Sequence, residues 1–95
     1  MFTTAQIAEA LNTVLEIDGD DTPRVAFFGY AGHTKGLQID VYVDGWADNK
    51  SDYCSYLSYA DRDIYRKTIW HDKKGTNIKF DNFDQMLNDV RRVGL

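Results

Sequence analysis

The sequence predicts an α+β domain, in which an antiparallel meander sheet of four to five strands carries an N-terminal and a C-terminal helix on one face. Segments at both ends repeat apolar residues at helical spacing, whereas the middle of the chain alternates apolar and polar residues with a period of two. Turn-forming residues separate the alternating segments. Because each helix has one apolar stripe, we expect both helices to pack on the dry face of the sheet.

Length and composition predict one domain, residues 1–95. An apolar share of 43% is typical of a chain that folds around a core. No segment reaches the roughly 18 apolar residues that span a bilayer, and the first residues lack the basic-then-apolar pattern of a signal peptide. Cys54 is the single cysteine, so no internal disulfide forms. We therefore expect a cytoplasmic protein that does not bind membranes.

Both helices carry terminal signals. Thr3 and Gln6 form a capping box, and "DGDD" after residue 17 ends the first helix. Asn82 and Gln85 form a capping pair at the start of the second helix, and Gly94 follows its end. The predicted apolar stripes are Ile7, Leu11, Val14 and Leu15 in the first helix, and Phe83, Met86, Leu87, Val90 and Val93 in the second.

The strands follow from alternation and composition. "RVAFFGY" after Pro23 is β-branched and aromatic, and "LQIDVYVDGW" has the clearest alternation in the chain. "SDYCSYLSYA" predicts a third strand. "DIYRKTIWHD" also fits helical spacing, but a strand is favoured because the turn "HDKKGT" and the short strand "NIKF" follow it.

The segment Gly29–Gly36, "GYAGHTKG", joins the first two strands. A phosphate-binding P-loop needs a second glycine where Thr34 stands, then Ser or Thr after the lysine, and a helix next. The segment meets none of these three requirements. We therefore interpret it as a hairpin loop, with a positive φ angle at Gly32 or Gly36 and no ligand at His33.

No residue set indicates catalysis or metal binding. His33, His71 and Cys54 are widely separated, without the paired spacing of a zinc site. Asp40 and Asp44 share one strand face, but residues i and i+4 of a strand lie roughly 13 Å apart. This distance is too great for the two carboxyl groups to act together as general acid and general base. We therefore expect a protein that is not an enzyme and needs no cofactor and no metal.

Charge is unevenly distributed. The chain has 11 basic and 15 acidic residues, and residues 1–61 contain only three of the basic residues but ten of the acidic ones. A basic hairpin, residues 62–79, could bind nucleic acid through Arg62, Arg66, Lys67, Lys73, Lys74 and Lys79, interleaved with Tyr65 and Trp70. Because the rest of the chain is acidic and no nucleic-acid-binding signature is present, direct nucleic-acid binding is the less favoured interpretation.

The wet face of the sheet is the candidate binding surface. Since neighbouring residues of a strand point to opposite faces, either Phe27 or Phe28 joins Tyr42 there. Aromatic side chains framed by carboxylates are typical of a surface that binds a basic protein. A homodimer through the same face stays open as an alternative. The predicted partner-binding residues are Gln38, Asp40, Tyr42 and Asp44, with Asp48 and Asp52 in the adjoining turn.

In its size, its negative charge and its helix-flanked meander without a catalytic set, the whole chain resembles the small phage-encoded anti-CRISPR and anti-restriction proteins. This resemblance implies a non-enzymatic inhibitor that blocks a nucleic-acid-handling defence complex, with carboxylates standing in for phosphates, in the cytoplasm of the host cell. It contains no diagnostic motif, so no binding residue is carried over from that group. The alternatives are a small structural or adaptor subunit that oligomerises through the open sheet face, and a weak nucleic-acid binder.

Overall fold

The structure is a computed structural model that describes residues 2–32, 35–45 and 53–95. These residues form the predicted α+β fold, with a five-stranded antiparallel meander sheet of order β1-β2-β3-β4-β5 between two helices in the sequence. The elements are α1 (Thr4–Gly19), β1 (Val25–Ala31), β2 (Gly36–Tyr42), β3 (Tyr53–Tyr59), a 3₁₀ turn (Ala60–Arg62), β4 (Ile64–His71), β5 (Lys74–Lys79) and α2 (Phe83–Arg92).

Both helices begin at the predicted caps. At the start of α1, the Gln6 backbone N–H donates to Thr3 Oγ1 at 3.1 Å, and the Thr3 backbone N–H donates to Gln6 Oε1 at 2.9 Å. At α2, the Gln85 backbone N–H donates to Asn82 Oδ1 at 2.9 Å. Beyond α2, Gly94 adopts a φ of 81°, a left-handed conformation that favours glycine.

The apolar stripe predicted for α1 is right for Val14, which is buried, and for Ile7, which packs against the core, but wrong for Leu11 and Leu15. Leu11 and Leu15 are 41% and 58% exposed, whereas Ala10 and Ile17 are buried. The helix is therefore rotated, because its small residue Ala10 permits close approach to the sheet and the larger leucines do not. The stripe predicted for α2 is right for Phe83, Met86, Leu87 and Val90, which are all buried.

The sheet has one face packed against the helices. Leu37, Ile39 and Val41 of β2 are fully buried there, and the antiparallel register places them beside the β3 residues Ser58, Tyr56 and Cys54. Alternation within each strand sends the intervening side chains to the opposite face. The fourth segment, residues 64–71, is the strand that the sequence analysis favoured.

Two details of the loops differ from the predictions. The strand that contains Asp40 ends at Tyr42, because the Gly45 backbone N–H donates to the Tyr42 carbonyl at 3.2 Å and closes a turn. In the hairpin between β1 and β2, the positive φ angle predicted at Gly32 or Gly36 is wrong. Lys35 adopts it instead, with φ of 56°, and Gly36 begins β2 as an extended residue. His33 lies outside the described residues.

Candidate protein-binding face

The sheet face opposite the helices is the surface on which the predicted site residues lie, and we call it the open face. No element in the described part of the chain packs on it, since the helices contact β1, β3 and β4 from the core side. Strand alternation and register assign to it Val25, Phe27, Gly29, Ala31, Gly36, Gln38, Asp40, Tyr42, Tyr53, Ser55, Leu57, Tyr59, Ile64, Arg66, Thr68, Trp70, Gly75, Asn77 and Lys79.

An aromatic row crosses the open face from β1 to β4. It consists of Phe27, Tyr42, Tyr53 and Trp70. The Phe27 and Tyr42 rings meet edge to face with centroids 5.8 Å apart, and the Tyr42 and Tyr53 rings stack at 4.8 Å. Tyr53 then stacks on Trp70 at 6.2 Å. Each ring of the row therefore packs against its neighbours.

Gly75 of β5 completes this row. A Cβ atom at Gly75 would lie 3.1 Å from Trp70 Cζ3 and 3.0 Å from Thr68 Cγ2, which is too close for ordinary contact. The indole therefore occupies the space that a side chain on β5 would need. Within the row, burial raises the pKa of Tyr42, and the neighbouring Asp40 and Tyr53 add to the effect.

The carboxylate of Asp40 lies beside the aromatic row on β2. Its two oxygens accept from Gln38 Nε2 at 3.1 and 3.2 Å. Among the described residues, no lysine or arginine forms an ion pair with it. Asp40 is therefore a half-exposed negative charge that retains capacity to accept hydrogen bonds from a partner.

The other predicted site residues are only partly brought together. Gln38, Asp40 and Tyr42 lie in line on β2, on the same face. Asp44 lies beyond the end of the strand, where it lines a hollow of about 220 Å³ with Tyr53 and Trp70. Asp48 and Asp52 lie outside the described residues.

The basic hairpin does not form one continuous surface. Arg66 and Lys79 point to the open face, whereas Tyr65 and Lys67 point to the core face. Lys67 is only 8% exposed, and the Arg62 guanidinium lies over the Tyr59 ring, 5.3 Å from its centroid. Lys73 and Lys74 lie at the exposed β4–β5 turn.

Lys67 belongs to a buried polar cluster that the sequence analysis missed. Lys67 Nζ donates to Asp89 Oδ2 at 2.7 Å, and the Tyr56 hydroxyl donates to the same oxygen at 2.6 Å. Burial raises the pKa of Asp89, but these two hydrogen bonds outweigh burial and hold it below its usual value. Because Tyr56 and Lys67 are buried, the cluster fastens α2 to the sheet. In the alternating pattern of β4, Lys67 falls on the same side as Tyr65 and Ile69, and this position in the sequence could have revealed the cluster.

A second and larger hollow lies on the open face beside the aromatic row. Its volume is about 380 Å³, and its polar residues are Gln38 and Asp40. Phe27, Leu57 and Tyr59 form apolar walls around a floor at Gly29 and Gly36.

The chain was compared with protein-family models, with curated proteins and with solved structures, and none of them matches. In the described part of the chain, neither helix has the length and apolar character that crossing a membrane requires.

Proposed function

We propose that the protein is a non-enzymatic inhibitor that binds a partner protein with a basic surface through the open face. The observation that supports this most is the aromatic row on the open face beside Asp40, a carboxylate without a cationic partner among the described residues. Aromatic side chains anchor protein interfaces, and exposed charges steer the approach of a partner of opposite charge.

The arrangement of the rings favours a protein partner over nucleic-acid bases. Proteins that bind single strands stack bases on open aromatic faces. In the aromatic row, the faces of Tyr42 and Tyr53 already stack on one another. Lys67 is buried and paired with Asp89, so its charge is not on the surface of the basic hairpin. Nucleic-acid binding by residues 62–79 therefore loses support.

The finer part of the proposal concerns the class of partner. A basic surface is common on proteins that hold nucleic-acid phosphates, and a carboxylate such as Asp40 would compete with phosphate for it. Together with the resemblance in size, charge and layout to anti-CRISPR and anti-restriction proteins, this supports a nucleic-acid-handling defence complex as the target.

A homo-oligomer through the same face is the second candidate, and one observation favours it. Asp40 lies on β2, whereas Arg66 and Lys79 lie on β4 and β5 of the same face. A two-fold axis along β3 would place the acidic side of each copy over the basic side of the other, as a self-complementary interface requires.

The test reverses the charges that steer the partner. We expect Asp40→Lys with Asp44→Lys to leave the fold intact, because both side chains point to solvent, and to abolish capture of the partner from a lysate. The matched control is Glu16→Lys with Asp21→Lys, which makes the same change in net charge at two exposed residues away from the open face. The control should capture the same protein, identified by mass spectrometry.

The captured protein is then purified and its association rate measured as salt rises. Exposed charges are screened over about 8 to 10 Å at physiological ionic strength, so the rate should fall with salt for the wild-type chain and the control. Tight, salt-insensitive binding that survives the double lysine change would contradict the proposal. If the double change instead alters the size of the free protein by light scattering, the homo-oligomer is supported.

A further inference from the structure

Gly29 occupies a position in β1 where the backbone has no need of glycine. It lies inside the strand, pairs with Gln38, and does not have a positive φ angle. A Cβ atom added there would meet no atom of the described residues within 4 Å. Glycine inside a strand weakens it, and such a residue often marks a site where a ligand or another chain approaches closely.

The contrast with Gly75 sharpens this point. Both glycines lie on the open face, but the space above Gly75 is filled by the Trp70 ring of the same chain. The space above Gly29 is not filled by any of the residues that the structure describes, and it belongs to the hollow of about 380 Å³ described above, which we call the Gly29 hollow. A volume near the lower end of the range for ligand pockets suits a single side chain better than a large ligand.

The walls of the Gly29 hollow combine apolar surface with one negative charge. Phe27 is 44% exposed, and Leu57 and Tyr59 are half-buried. Asp40 stands at one end, level with Phe27, and Gln38 stands between Gly29 and Leu57. At the other end, the Tyr59 ring already holds the guanidinium of the chain's own Arg62. A cationic head entering the hollow is therefore directed to the Asp40 end, while its aliphatic stem lies along the apolar walls.

We propose that the Gly29 hollow is an anchor site for one arginine side chain of the partner. Arginine fits better than lysine, because its planar guanidinium stacks on aromatic rings and donates two parallel hydrogen bonds to a carboxylate. Buried arginines are also among the residues that contribute most to binding energy at protein interfaces. This inference rests on the proposed function and adds the side chain that the partner inserts.

The test uses a small probe, N-acetyl-L-arginine amide, titrated into the full chain and followed by backbone amide NMR. Saturable shifts are expected at Gly29, Gln38, Asp40 and Tyr59. N-acetyl-L-citrulline amide has nearly the same shape without the charge. Its affinity should be lower by a factor of about ten or more, and a factor of ten is the equivalent of roughly 1.4 kcal/mol. Shifts that stay linear with probe concentration, or equal binding of the two probes, would overturn the proposal.

Two variants locate the probe. Gly29→Val fills the hollow with a residue that strands favour, and the open space above Gly29 accommodates it, so the melting temperature should not fall while probe binding is lost. Asp40→Asn should weaken binding about tenfold without filling the hollow. Asn77→Thr, on β5 of the same face but outside the hollow, is the control and should bind the probe like the wild type. Unchanged binding by Gly29→Val places the probe elsewhere and overturns the proposal.

The captured partner separates this inference from the proposed function. If Asp40→Lys with Asp44→Lys abolishes capture but Gly29→Val keeps full affinity, the open face binds the partner without using the hollow, and only the anchor proposal fails. If neither variant affects capture, the proposed function itself fails.

Discussion

At the scale of the residue, the cluster of Lys67, Asp89 and Tyr56 shows why burial matters more than residue type. The basic residues around Lys67 in the sequence predict a surface cation. Its place in β4 turns it inward, where Asp89 is its hydrogen-bond acceptor. Such an ion pair adds little net stability, but the removal of one partner leaves a buried charge uncompensated.

We therefore predict unequal effects from the two sides of this ion pair. Asp89→Ala should cost about 3 kcal/mol of unfolding free energy, because the Lys67 ammonium stays buried without its acceptor. Lys67→Met should cost less, since the Asp89 side chain is 35% exposed and still accepts from Tyr56. Urea denaturation measures both, with Lys67→Met/Asp89→Leu as the control that removes both charges. Equal costs for the two single changes would show that Lys67 is not buried as described.

At the scale of the element, the attachment of α2 to the sheet depends on an ionised carboxylate. The folded-state pKa of Asp89 lies below its ordinary value. A carboxyl group of this kind adds stability above its unfolded pKa of about 4 and loses that contribution as pH falls through the folded value. We predict that the unfolding free energy falls from about pH 4 downward, and that Asp89→Asn makes this fall shallower.

The measurement is a series of denaturation curves across the acid range. Asp21→Asn changes an exposed carboxylate in the loop between α1 and β1 and should reproduce the wild-type slope. An acid slope that Asp89→Asn leaves unchanged would assign the effect to other carboxylates, of which Asp20 is one. Its pKa is lowered by hydrogen bonds from Thr22 and then from Arg24.

The sequence predicted most at the level of individual helices and strands. Helix caps and strand alternation are local, so α2, β2 and the strand character of β4 could be predicted from a few residues each. The phase of α1 could not, because Ala10 and Leu11 are both apolar and only packing against the sheet decides which one is buried. The position predicted for the left-handed residue of the β1–β2 hairpin was likewise wrong. The turn places this conformation at Lys35, although glycine adopts it at lower cost.

At the scale of the whole molecule, the sheet is covered unevenly. The core side chains of β2 and β3 lie under the helices, whereas every residue of β5 is exposed. We predict that amide hydrogen exchange is slowest in β2 and β3 and fastest, among the strands, in β5. Protection of β5 equal to that of β3 would contradict this order and would show that a second chain covers the edge.

The candidate site could be predicted only in part, because it depends on how separate strands pair across the whole sheet. Alternation along one strand assigned Gln38, Asp40 and Tyr42 to the open face. The neighbours of Tyr42 depend on the register between strands, which joins residues far apart in sequence, such as Tyr53 and Trp70. The Gly29 hollow is further from prediction still, because it arises where side chains are missing on adjacent strands.

The stacking of Tyr42, Tyr53 and Trp70 has a spectroscopic consequence. Rings with centroids 4.8 and 6.2 Å apart share excitation energy, so light absorbed by the tyrosines is re-emitted by the indole. The chain has one other tryptophan, Trp46, which lies outside the described residues. After Trp46→Phe, the fluorescence of Trp70 alone would report on the open face. A partner that docks there would change the colour and intensity of this emission, and no attached dye would be needed.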